Sequence, residues 1–187
     1  MKKILFTMML MMTVGIIYGQ TTYYWIGGAS GGSITNSASW NTDINGGGSN
    51  RTTALNTDIL VFDGTNVGGT TPTTGPVSVV TSGTLLCGQM ILTNNVFVDF
   101  IRTSSGTSVF QINGNDDDDF VVNAGSTFSI PLTTLGSVRI EMAATASGRV
   151  SGAFSITTTQ QFRIQNTTSG TGKILFKSGS VFTTKIA

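Results

Sequence analysis

The sequence predicts an all-β fold, a parallel, right-handed β-helix solenoid with an N-terminal aromatic cap. Three observations carry this. The last third of the chain writes one pattern three times: Asn123-Ala124-Gly125-Ser126-Thr127-Phe128-Ser129-Ile130, then Val150-Ser151-Gly152-Ala153-Phe154-Ser155-Ile156, then Lys177-Ser178-Gly179-Ser180-Val181-Phe182-Thr183. Its glycines fall 27 residues apart, at 125, 152 and 179, and a fixed period of that order marks stacked units that cannot bury their apolar faces alone. Between them recur the triplets Phe110-Gln111-Ile112, Val138-Arg139-Ile140 and Phe162-Arg163-Ile164, the apolar-polar-apolar alternation of a half-buried strand. Composition is the third. Charged residues are 10% of the chain and apolar ones 39%, too apolar and too weakly charged for disorder. No run has helical periodicity. The competing architecture, a β-sandwich with a coincidental repeat, requires antiparallel neighbours between residues 110 and 165.

Residues 1–20 read as a secretory signal peptide. Met1-Lys2-Lys3 is a basic start, Ile4 to Ile17 is apolar apart from Thr7 and Thr13, and small Gly19 precedes the expected cut. The run is shorter than the roughly 20 apolar residues that a membrane span needs. Cys87 is the only cysteine, so neither a lipid anchor at the cut nor an internal disulfide is expected. The remainder carries 8 basic and 9 acidic residues, which removes the electrostatic case for nucleic acid or an anionic membrane. No transmembrane segment is expected once the signal is removed, and the secretion machinery is the implied partner.

Residues 21–64 form the expected cap. They hold both tryptophans and three expected glycine-rich turns, Gly27-Gly28, Gly31-Gly32 and Gly46-Gly47-Gly48. Short strands are expected at Tyr23–Ile26, Ser37–Trp40 and Ile59–Phe62. Stacked arrays need an atypical terminal unit over the first open core, and Trp25, Trp40 and Phe62 supply it. Tyr24-Trp25-Ile26-Gly27-Gly28, Ala38-Ser39-Trp40-Asn41 and Asn56-Thr57-Asp58-Ile59-Leu60-Val61-Phe62-Asp63-Gly64 together resemble the N-terminal cap of large secreted β-helix proteins, namely autotransporter-like passenger domains and long Ser/Thr/Gly-rich surface proteins of the Bacteroidetes type. The resemblance implies a surface-associated, adhesin-like role. Many such proteins carry a C-terminal sorting domain. This sequence stops mid-coil at Ala187 without a polar cap, so a longer rod is expected beyond it.

Residues 65–76 are a Thr/Gly/Pro loop, and residues 77–187 are expected to hold about four coils. Prolines 72, 76 and 131 all avoid strand interiors, where a missing N–H would break the ladder. Strands are expected at Val77–Val80, Met90–Leu92 and Val96–Phe100. Asn95 stands in the glycine's place, since Asn tolerates the left-handed conformation best after Gly. Alternation points Phe110, Ile112, Val138, Ile140, Met142, Phe162 and Ile164 inward. It leaves Gln111, Arg139 and Arg163 in one outer column and Asn113, Glu141 and Gln165 in the next.

Candidate chemistry is sparse. Asp116, Asp117, Asp118 and Asp119, with Asn115, offer oxygens to Ca²⁺, the one cofactor this composition suggests. Successive side chains diverge, however, and no turn glycines alternate with them as in a calcium loop, so a solvated turn between two strands is the favoured reading. Tyr23, Tyr24, Trp25 and Trp40 are a candidate sugar platform, against the lid reading for the tryptophans. Polysaccharide-cleaving β-helices need paired carboxylates. Asp43, Asp58, Asp63, Asp99 and Glu141 form no such pair at matching positions, and Asp58 and Asp63 read as turn and strand-end residues. Cys87 lacks any histidine to activate it and reads as a buried small hydrophobe. Asn50-Arg51-Thr52 and Asn166-Thr167-Thr168 match a glycosylation sequon that this composition produces by chance. The expected function is therefore a secreted or cell-surface structural, adhesin-like solenoid without catalysis, contacting surface glycans or host or matrix proteins. The alternative is a carbohydrate-binding or polysaccharide-degrading β-helix.

Overall fold

The computed structural model describes residues 19–66, 76–115, 118–166 and 173–185. β1 (Thr22–Trp25), β2 (Ser30–Ser33), a 3-10 turn at Ser37–Ser39 and the short β3 (Trp40–Asn41) come first. Four three-strand coils follow. The first is β4 (Ile59–Asp63), β5 (Val77–Val80) and β6 (Thr84–Cys87), and the second is β7 (Gln89–Thr93), β8 (Phe97–Ile101) and β9 (Thr107–Ile112). The third is β10 (Phe120–Val122), β11 (Thr127–Ile130) and β12 (Ser137–Met142), and the fourth is β13 (Ser147–Val150), β14 (Ala153–Ile156) and β15 (Phe162–Asn166). β16 (Lys173–Phe176) and β17 (Val181–Thr184) begin another.

Each coil contributes one strand to each of three sheets. The first sheet runs β1-β4-β7-β10-β13-β16 with β3 beyond β1, the second β2-β5-β8-β11-β14-β17, and the third β6-β9-β12-β15. Strands of successive coils pair in parallel, including β9–β12–β15 across residues 107–166, which rules out the sandwich. The β1–β3 pair is antiparallel and closes the edge of the first sheet. Ile59–Asp63 ends the cap segment, and it is also a full member of the parallel stack, pairing with β1 on one side and β7 on the other.

The core follows from the alternation. Inward residues of the middle coils are buried, among them Leu60, Phe62, Met90, Leu92, Phe100, Phe110, Ile112, Phe128, Ile140 and Phe154. Phenylalanines in the second sheet build a column along the axis. Ring centroids lie 4.6 Å apart for Phe100–Phe128, 4.9 Å for Phe128–Phe154 (stacked nearly parallel, at 6°) and 5.9 Å for Phe154–Phe182. Phe62 joins that column to the cap, 5.5 Å from Phe100 and 5.4 Å from Trp25.

Several local expectations are revised. Ser37–Ser39 is a 3-10 turn and not the start of a strand, because the Asn36 side chain accepts a bond from the Ala38 N–H and caps it. The glycine-rich Ser30–Ser33 is a strand and not a turn. A Cβ at Gly32 would lie 2.6 Å from the Gly27 carbonyl oxygen and 2.7 Å from the Trp25 ring, so the chain passes the lid only without a side chain there. The outer columns also differ by two residues. Phe110 pairs with Ile140, Gln111 with Glu141 and Val109 with Arg139, while Arg139 pairs with Arg163. The column therefore reads Val109–Arg139–Arg163, with Gln111–Glu141–Gln165 beside it. A two-residue slip leaves inward and outward faces unchanged, so the ladder assignment survives the wrong register. Phe110, Ile112, Val138, Ile140 and Met142 are buried, but Phe162 is half-buried and Ile164 is 44% exposed, since no strand of the third sheet beyond β15 is described.

The three repeat glycines are not equivalent. Gly125 and Gly179 adopt φ of +80° and +84° in matching four-residue corners. Gly152 has no positive φ and lies in a two-residue corner between β13 and β14. Its Cβ would overlap the carbonyl oxygens of Ser126 and Asn123, so crowding by the coil before it dictates glycine. Asn95, at φ +60°, occupies the left-handed corner of the second coil as expected, and Asn94 joins it at +55°.

Candidate functional site

Trp25 and Trp40 are each 1% exposed. Their rings meet edge to face at 5.3 Å and each lies against Phe62. Their indole N–H groups donate to the Gly28 and Ile34 carbonyls. Neither ring face is open to a sugar. Asn41, which follows Trp40, is also buried. Its Oδ1 accepts from the Asp43 and Gly48 N–H groups, and its Nδ2 donates to Gly48 O and Asn50 Oδ1. One side chain thus organises the loop 42–50, which explains the Trp-Asn pair as a structural unit.

Within the acidic run, Asp116 and Asp117 lie outside the described residues. Asp118 is half exposed and forms an ion pair with Arg149 Nε at 3.0 Å. Asp119 is fully buried, and its Oδ2 accepts from the Ser147 N–H at 3.1 Å. The two carboxylates thus serve different partners in the next coil, and among the described residues no three acidic, cysteine or histidine side chains cluster as a metal site.

The other acids are structural or isolated. Asp58 and Arg51 form a buried ion pair at 2.8 Å. Asp58 also accepts from the Leu55 N–H, and Arg51 Nη2 donates to the Leu86 carbonyl. Burial opposes charge at Asp63, but hydrogen bonds from Thr65 and Asn94 outweigh it and hold its carboxyl below the usual range. Asp99 is alone on the outer face of the second sheet, in a column of hydroxyls formed by Ser78, Ser129, Ser155 and Thr183. Its Oδ1 is buried without a hydrogen-bond partner, and burial pushes its carboxyl above the usual range despite the Ser129 hydroxyl. Cys87 is fully buried, and desolvation pushes its thiol up to about 12, so it is no nucleophile at neutral pH.

The concave feature that sequence reasoning missed lies on the outer flank of the first sheet. A hollow of about 280 Å³ is lined by Asp118, Ser147, Gly148, Arg149, Lys173, Leu175 and Lys177. Parallel stacking assembles it. Ser147 pairs with Lys173 and Arg149 with Leu175, so residues far apart in sequence become neighbours one strand spacing apart. Arg149 is held by Asp118, Asn123 and Ser151. Lys173 and Lys177 belong to no ion pair among the described residues.

No helix among the described residues is long and apolar enough to cross a membrane. No curated protein and no solved structure matches the chain. The family model of endospore appendages matches residues 87–162, from the end of β6 to the first residue of β15. That match lies outside residues 24–64, so it has no bearing on the autotransporter-like and Bacteroidetes-type resemblance of the cap. The chain is thus similar, over about two fifths of its length and across three of its coils, to the appendages displayed by endospores.

Proposed function

We propose that this chain is a structural, non-catalytic unit of an extracellular or spore-surface appendage, exported by its N-terminal signal and presented as an adhesin-like rod. The observation that carries the reading is the endospore-appendage match, which falls on the regular part of the solenoid. The fold supports it. Coils stacked in parallel give a stiff element, and most of the described carboxylates serve turns and ion pairs. Adhesion to glycans or to host or matrix proteins is the finer form of the same reading.

The test is cellular. Immunogold labelling with an antibody to the folded chain should decorate fibres or the outer surface of the producing cell or its spores, and deleting the gene should thin or remove those fibres. Labelling confined to the cytoplasm, or fibres unchanged by the deletion, would overturn the proposal.

A further inference from the structure

The charges of this chain are segregated along the solenoid axis. Every Asp and Glu lies between residues 43 and 141, whereas residues 142–187 carry Arg149, Arg163, Lys173, Lys177 and Lys185 with no acidic side chain. Three of these five cations line the hollow on the first sheet. Lys173, Leu175 and Lys177 alternate along β16 and its end, so all three project from the outer face, and Arg149 stands opposite Leu175 on the adjacent strand. The result is a ring of three cations around a leucine that is 44% exposed. Ser147 supplies a hydroxyl at one rim. Asp118, the acid at the other rim, is engaged by Arg149.

We propose that this flank binds an acidic polysaccharide, a chain of sugar rings bearing carboxylates. The ammonium groups of Lys173 and Lys177, which form no ion pair among the described residues, take the anions, while Leu175 offers an aliphatic floor to the C–H face of a sugar ring. Four residues of extended strand set the Cα atoms of Lys173 and Lys177 roughly 13 Å apart, so a repeating polyanion meets both, whereas a small anion meets one. A nucleic acid fits less well. Single-stranded binding sites rely on exposed rings for base stacking, and the lining here contains none. This site gives the glycan adhesion proposed above a ligand class and a location, and the binding test stands or falls apart from the cellular test of the appendage reading.

The full chain should bind polygalacturonate in a calorimetric titration at low salt, with affinity falling as salt screens the charges. Lys173→Gln and Lys177→Gln should each weaken binding about fivefold, which corresponds to about 1 kcal/mol per charge. Both side chains are exposed, so circular dichroism should show the fold unchanged. Asp118→Asn should tighten binding, because it releases Arg149 to the ligand. Arg163→Gln, on the third sheet, should leave it unaltered. The proposal is overturned if polygalacturonate does not bind at low salt, if a neutral glucan binds as well, if single-stranded DNA binds more tightly, or if the double lysine variant binds like the wild type.

Discussion

Phe128 sits at the centre of the axial column, and its truncation measures how much of the fold that column carries. The ring is fully buried, with Phe100 at 4.6 Å, Phe154 at 4.9 Å, Phe120 at 5.5 Å and Phe110 at 6.2 Å. Burying roughly 150 Å² of aromatic surface at about 25 cal/mol per Å² is worth about 4 kcal/mol, within the range of about 3–5 kcal/mol observed when buried Phe becomes Ala. Phe182 occupies the same column two coils later but is 57% exposed. Scaling by the buried fraction leaves about 1.5 kcal/mol. At about 2–4 °C per kcal/mol for a chain of this size, Phe128→Ala should lower Tm by roughly 8–16 °C and Phe182→Ala by roughly 3–6 °C. In a one-dimensional stack the middle lesion weakens both of its interfaces. Hydrogen exchange in Phe128→Ala should therefore rise first in β11 and its neighbours β8 and β14, while β1 and β4, at the cap end, keep their protection. Thermal melts followed by far-ultraviolet circular dichroism provide the comparison. Equal losses for the two variants, or less than about 1 kcal/mol for Phe128→Ala, would refute the stacked-core reasoning.

Stability measurements test three further sites. Gly152→Ala should destabilise more than Gly179→Ala. At 152 the added methyl meets fixed backbone carbonyls. At 179 there is open space and the penalty is only the left-handed φ of +84°, about 1–2 kcal/mol; the reverse order would contradict the crowded corner. Arg51→Ala strands the buried Asp58 carboxylate and should cost about 3–5 kcal/mol in urea denaturation, and a loss under about 1 kcal/mol would show that water or another donor replaces the guanidinium. Asp99 keeps its proton to higher pH in the fold than in the unfolded chain, where its pKa is about 3.9. The folded state therefore binds more protons in that window, and stability from this group falls as pH rises through it. Asp99→Asn should thus be more stable than wild type at pH 7, with the gain disappearing below the unfolded pKa; a gain that persists in acid would point to packing instead of charge.

What was legible in the sequence was whatever repeats with period two or with the coil. Alternation in Phe110–Ile112 and Val138–Met142 identifies inward residues whatever the register, which is why the ladder held while its pairing slipped by two. Register depends on corner length, and corners differ from coil to coil. Four residues separate β10 from β11, whereas only Ser151 and Gly152 separate β13 from β14. The regular 27-residue spacing of the glycines concealed this, because along the second sheet Phe128 to Phe154 is 26 residues and Phe154 to Phe182 is 28. β2 was unreadable for another reason. Ser-Gly-Gly-Ser has low strand propensity, and only the Gly27 carbonyl and the Trp25 ring packed against Gly32 explain why glycine is required there. The basic hollow was hidden because it draws on residues 118, 149, 173 and 177, which no linear motif joins. The one signal for it was the absence of Asp and Glu after residue 141.

The physical basis of cohesion narrows what kind of solenoid this is. With a single cysteine that is buried, no internal disulfide can tie coil to coil. The ion pairs described number three, and Arg139–Glu141 and Arg149–Asp118 are partly exposed, each worth about 0–1 kcal/mol and screened by salt. Cohesion between coils therefore rests on ladder hydrogen bonds directed along the axis and on the apolar columns inside. Both are insensitive to reductant and largely insensitive to ionic strength. Apart from the buried Arg51–Asp58 pair and the buried Asp119, charge lies towards the surface, where the cations of the last coils are available for contact with an anionic partner. The solenoid thus separates its two tasks by geometry: inward positions determine whether coils stack, and outward positions on the same strands determine what the flank meets.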